Sequence, residues 1–211
     1  MTRLPAQPAA PDRPPLPLAE LIEELRIELT PAHWKLAEAL LARLDVANVE
    51  ALLWGRAGLV DRRATIVTGR EQLEQRGAGR GELPAFLADF LERHEDGAPG
   101  PPAGGEYPYD TLWQLYHDHL AELAEGGDST FLREWIAWEV PLLNALARWR
   151  AGRLGRGSEG ALLAEPHGAV APEALLARLS EEPDPQQQAR LLDAARLAAI
   201  EERDGNDPFS L

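Results

Sequence analysis

The chain has 211 residues, no cysteine and a formal net charge of −14, from 35 acidic residues against 21 basic ones. Such a field repels nucleic-acid phosphates and anionic headgroups. The missing thiols exclude disulfide scaffolds, thiolate metal sites and cysteine nucleophiles.

Residues 1–17 are rich in Pro and Ala and predict an extended or disordered segment. No apolar run there or elsewhere suits export or a membrane span, so we expect a cytoplasmic protein without direct membrane insertion. From residue 18 to 211 the pattern is that of a single helical domain. Leu18, Leu21, Ile22, Leu25 and Leu29 give a first amphipathic helix. Thr30 caps the next, with Pro31 at its favoured first position. That helix is expected to end near Leu44. Asp45 then reads as the cap of a third helix, VANVEALLWGR, with Val49, Leu52 and Leu53 inward.

Gly55 to Val67 reads as a loop, and Thr68 and Glu71 have capping-box spacing for a short helix to about Arg76. Pro84 opens a helix carrying Phe86, Leu87, Phe90 and Leu91. The Gly/Pro tract at 96–108 is the clearest linker and predicts two helical lobes. Asp110 to Glu125 is helical, with Leu112, Tyr116, Leu120 and Leu123 inward.

Phe131, Trp135, Trp138, Leu142, Leu146 and Trp149 then form one apolar stripe along Phe131–Gly155, a segment that would span roughly 37 Å as a helix. We expect Trp135 and Trp138 in the core and a kink near Ala137 to Pro141. Helices over 172–182 and 185–203 complete the chain, the last burying Leu191, Leu192, Ala195, Ala199 and Ile200. The predicted class is all-α, a bundle of about seven or eight helices with one long kinked tryptophan-rich helix.

His117 and His119 flank Asp118, but residues two apart on a helix diverge and cannot chelate one ion. Asp110, Gln114 and His117 do share a face, yet bundle metal sites draw ligands from several helices, so the favoured reading is a solvated face. Glu134 and Glu139 are too divergent for paired acid/base work, and Glu139, beside Pro141, reads as one half of an ion pair with an Arg from another helix. Asn48 and Asn144 sit among apolar positions and read as amides that fix packing. Arg148, Arg150, Arg153 and Arg156 complement the negative end of the long helix and offer a protein contact. No Walker A, GxGxxG, GxSxG or HExxH pattern occurs. We therefore expect no catalytic, cofactor or metal site and no small-molecule substrate.

Four stretches, LDVANVEALLWGR at 44–56, GELPAFLADFL at 81–91, REWIAWEVPLLNALARWRAGRLG at 133–155 and LLDAARLAAIEERDGNDPF at 191–209, resemble an uncharacterised helical family associated with bacterial V/A-type ATP synthases. That family is distantly similar to the C (d) subunit, a non-catalytic helical connector between rotor stalk and membrane ring. The resemblance covers most of the chain from about Leu16 and implies a protein-protein role, with no cofactor and with Asn48, Trp54, Trp135, Trp138, Glu139 and Asn144 as structural or interaction residues. It implies an accessory or rotor-linked component, peripheral on the cytoplasmic face through partner subunits. A free adaptor or assembly chaperone is the alternative, and an enzyme using His117 or Glu139 ranks last.

Overall fold

The computed structural model describes residues 16–75, 82–95, 108–127, 129–155, 157–158, 162–166, 169 and 172–203. Among them are eight α-helices and no strand: α1 Leu18–Glu28, α2 Pro31–Leu53, α3 Arg70–Glu74, α4 Ala85–Glu95, α5 Pro108–Gly126, α6 Thr130–Arg153, α7 Glu173–Glu181 and α8 Pro185–Arg203. The protein is all-α.

Helix α2 starts where its sequence directs, Thr30 Oγ1 accepting from the His33 N–H at 3.3 Å and Pro31 occupying the first position. It does not stop at Leu44. Asp45 is no cap: it lies mid-helix and fully buried, and α2 runs on as one 23-residue rod. The carboxylate that would have capped a new helix is engaged elsewhere, accepting from the Thr65 hydroxyl at 2.7 Å and from the Ile66 and Val67 N–H groups at 2.8 and 2.6 Å. One turn on, Asn48 accepts from the Asp61 N–H at 2.7 Å and donates to the carbonyls of Asp61 and Val67. These two residues, three apart on one face, bind the loop 61–67 along α2.

Both long rods end in glycines with positive φ, Gly55 at 69° and Gly155 at 64°. At the first, Arg56 N–H reaches Ala51 O and Gly55 N–H reaches Leu52 O, the double bond pattern that a left-handed glycine permits. Thr68 and Glu71 form no capping box: α3 begins after Gly69 without a side-chain cap, and Thr68 Oγ1 instead lies 3.4 Å from Gln72 Oε1. Ser129 caps α6 by accepting from Leu132 N–H at 3.3 Å, and α6 continues through Pro141 to Arg153.

The main core joins α2, α3, α4, α5, α6 and α8 through Val46, Val49, Leu73, Leu87, Leu112, Tyr116, Leu120, Leu132, Trp135 and Ala199. It therefore runs across the expected 96–108 division, α5 packing on both α2 and α4. The tract itself, 96–107, lies outside the described residues, as do residues 1–15; Pro108 already belongs to α5. A smaller cluster sets Leu142 and Leu146 of α6 against Leu179 of α7, flanked by Leu191 and Leu192 of α8. Trp138 touches both clusters but is only partly buried, unlike Trp135. Two further expectations fail on burial. Helix α1 has no buried residue despite its leucine stripe, and Ile200 is 39% exposed, because α8 turns Ala199 rather than Ile200 into the core.

Replacing Asn48 with alanine should cost about 2 kcal/mol, since it leaves the Asp61 amide and the Val67 carbonyl without their partners. Urea unfolding, together with faster hydrogen exchange at Asp61, checks this; unchanged exchange would show that the amide does not hold the loop.

Candidate functional site

Polar groups converge on the interior where α2, α5 and α6 meet. Asp45, Asn48, His117, Glu139 and Asn144 are all buried, an unusual set for a core and one that demands partners. Glu139, 3% exposed, finds two: Arg43 of α2, with Nη1 at 3.2 Å, and Arg196 of α8, with Nε at 3.8 Å. Three helices are thereby pinned at one carboxylate. Arg196 is held below its usual pKa by burial and by the like charge of Arg43, with Glu139 and Asp193 opposing. Tyr116, fully inside, has its phenol raised by burial and then by the Glu139 charge.

Asn144 repeats on α6 what Asn48 does on α2. Its Oδ1 accepts from Leu163 N–H at 2.8 Å while its Nδ2 donates to Leu163 O at 2.9 Å and to Glu165 Oε1 at 3.0 Å. Arg148 reaches the same Glu165 oxygen at 3.2 Å, and Gln114 Oε1 of α5 accepts from Ala164 N–H at 2.8 Å. The strap 162–166 is thus tied over the α5/α6 seam. The Asn144 and Arg148 hydrogen bonds hold the Glu165 carboxyl below its usual pKa. Both buried asparagines grip loop backbone, so what they fix is the seating of a loop on a helix rather than helix against helix.

Beneath the strap lies a cavity of about 250 Å³ lined by Arg43, Asp110, Trp113, His117, Asn144 and Arg150, among others. Here the solvated-face reading of the histidines fails. His117 is 5% exposed, its ring edge-on to Tyr116 with centroids 5.2 Å apart, and neither ring nitrogen has a hydrogen-bond partner among the described residues. Burial, then the Arg43 charge, pushes its pKa down to about 4. His119 is half-buried against Phe86, 5.0 Å between rings, and burial lowers it as well. Asp110 is pushed up to about 6 by burial and by the nearby Glu50 charge, and its Oδ2 is unpaired. Glu50 in turn accepts from Trp113 Nε1–H at 2.8 Å.

Of the remaining expected residues, Trp54 is partly buried at the end of α2 with Arg56 stacked 4.2 Å over its ring. Arg153 stacks on Trp149 at 5.2 Å and Arg150 lines the cavity mouth, so the arginine row serves three different ends rather than one patch. Arg156 lies outside the described residues. Glu134 is exposed, and only its backbone oxygen takes part, accepting from Arg203 Nε at 3.2 Å. The sequence reading missed Asp45 as a loop anchor and Arg43 and Arg196 as the partners of Glu139. The one available signal was the Asp45-x-x-Asn48 spacing, which sets two polar groups on the face that also carries Ala42, Val46 and Val49.

The His117 contribution to stability should be lost as pH drops from about 6.5 to 4, because the unfolded chain binds a proton there that the folded one refuses, while Asp110, with its raised pKa, contributes in the opposite direction over the lower part of the window. The full penalty is roughly 3 kcal/mol, at 1.36 kcal/mol per pKa unit. In His117→Gln that part of the slope should vanish, measured as urea midpoints at successive pH values; a parallel profile would mean the ring is hydrated.

Among the described residues no group of three or more His, Cys, Asp or Glu is placed to hold a metal, and no helix is long and apolar enough to cross a membrane. No family model, no curated protein and no solved structure matches the chain.

Proposed function

We propose that this protein is a non-catalytic accessory or rotor-linked component, C/d-subunit-like, of a bacterial V/A-type ATP synthase, and that it acts through protein contacts on the cytoplasmic side. The observation that carries the reading is where the resembling stretches lie. Their polar signature residues, Asn48 on α2 and Glu139 and Asn144 on α6, spend their atoms on the protein's own loops and helices. A chain whose buried polar positions build a scaffold favours a structural component over an enzyme. The charge of −14 also favours protein contacts over direct lipid binding.

Tagged protein recovered from its native membrane fraction should bring down synthase subunits, and it should co-sediment with membranes only in cells that make the synthase. High salt should release part of it, since exposed charges are screened. Charge reversal at Arg150 and Arg153 should weaken the association while Arg148, committed to Glu165, is left intact. Binding to protein-free anionic vesicles, or the same distribution with and without the synthase, would overturn the proposal. A free adaptor or assembly chaperone is the second reading. It is favoured by the open cleft of about 930 Å³ between α1, α2 and the 62–66 loop, over which α1 lies without a buried side chain.

A further inference from the structure

The cavity under the strap is roomy and polar, and its inner groups are unmatched. Its volume of about 250 Å³ is several times the roughly 30 Å³ that one water occupies. Both nitrogens of His117, a side chain 5% exposed, and one oxygen of Asp110 lack partners among the described residues, and buried polar atoms in native proteins are rarely left so. The lining carries charges of both signs. Asp110, in the first turn of α5, sits with Glu50 close enough for the two charges to oppose each other. The α6 wall reaches its last turn, where Arg150, exposed, lines the mouth with no ion pair among the described residues. Arg43 adds a second guanidinium, shared with Glu139.

We propose that this cavity binds a small zwitterion of the amino-acid class, its ammonium group on Asp110 and its carboxylate on Arg150 and the ring N–H of His117. A simple anion would meet Asp110 and Glu50, and a simple cation would meet Arg43 and Arg150. Only a ligand carrying both charges satisfies both signs at once. Neutral His117 supplies one acceptor and one N–H donor, which suits a ligand bearing both kinds of group. The inference goes beyond the accessory-subunit reading and does not depend on it.

The test uses the isolated full-length chain, exhaustively dialysed, titrated calorimetrically with the standard L-amino acids one at a time. For the best binder, the carboxylic acid lacking the ammonium group is then compared. At least one amino acid should bind with a Kd of about 1 mM or tighter and shift the His117 ring protons, with the deaminated acid weaker by about tenfold or more. Asp110→Asn and Arg150→Gln should each weaken binding by about tenfold while the helical circular dichroism and Tm stay as in the parent. Absence of any binding below about 10 mM would mean that the cavity holds water only. Equal binding of the deaminated acid, or variants that bind like the parent, would equally overturn the assignment. Because no membrane or partner enters the experiment, its failure leaves the co-sedimentation result standing.

Discussion

Glu139→Ala should destabilise the protein by about 2 to 4 kcal/mol, less than for a fully enclosed pair because Arg43 reaches solvent. The carboxylate is 3% exposed and lies between Arg43 on α2, whose side chain is 37% exposed, and Arg196 on α8, so its removal sets two guanidiniums against one another with solvent and Asp193, 3.8 Å from Arg196, as the remaining compensation. Against a total stability of about 5 to 15 kcal/mol, that loss is enough to unfold a marginal domain. The size of the effect is mostly the cost of the stranded arginines rather than the net worth of the ion pair. A second variant separates the two: with Arg43→Met and Arg196→Met added, Glu139→Leu should recover most of the loss. Denaturant unfolding reads both. If Glu139→Ala costs less than about 1 kcal/mol, the three-helix junction is hydrated and not the pin described above.

Trp135→Ala should cost about 3 to 5 kcal/mol, and Trp138→Ala clearly less. The Trp135 side chain is 8% exposed within the main core, with its ring 5.3 Å from that of Trp138. Trp138 is half-open to solvent, with Arg203 over its ring at 5.8 Å. Truncating it exposes the seam between the two clusters without opening a closed cavity, so the transfer loss is partial. Thermal unfolding of the two variants side by side checks the order. A reversed order would mean that the face of Trp138, and not Trp135, is what the second cluster leans on.

The helices were legible because their signals are local. Thr30-Pro31 starts α2, glycine follows the ends of α2 and α6, and the stripe from Phe131 to Trp149 buries Trp135, Leu142 and Leu146 and leaves Phe131, Trp138 and Trp149 partly buried. These features need only the 3.6-residue period and the backbone preferences of single residues. The polar interior was not legible, and the reason is physical. Asp45 has the local preferences of a helix cap, and nothing within four residues of it says that the segment 65–67 will supply its donors. His117 and Asp110 sit on α5 among residues that read as solvent-facing. His117 becomes buried, and Asp110 partly so, where α6 and the strap, anchored by Asn144 some 30 residues further along the chain, meet α5.

Amphipathic period alone likewise told too much about α1 and Ile200, since an apolar stripe states what a helix can bury and not whether a surface arrives to meet it. The sequence by itself therefore determined an all-α chain and the positions of most of its helices. Only the tertiary structure decided which carboxylates are anchors, which arginines they pair with, and where a cavity of mixed charge remains. Those properties belong to residues far apart in the chain, and long-range packing is what brings them to one place.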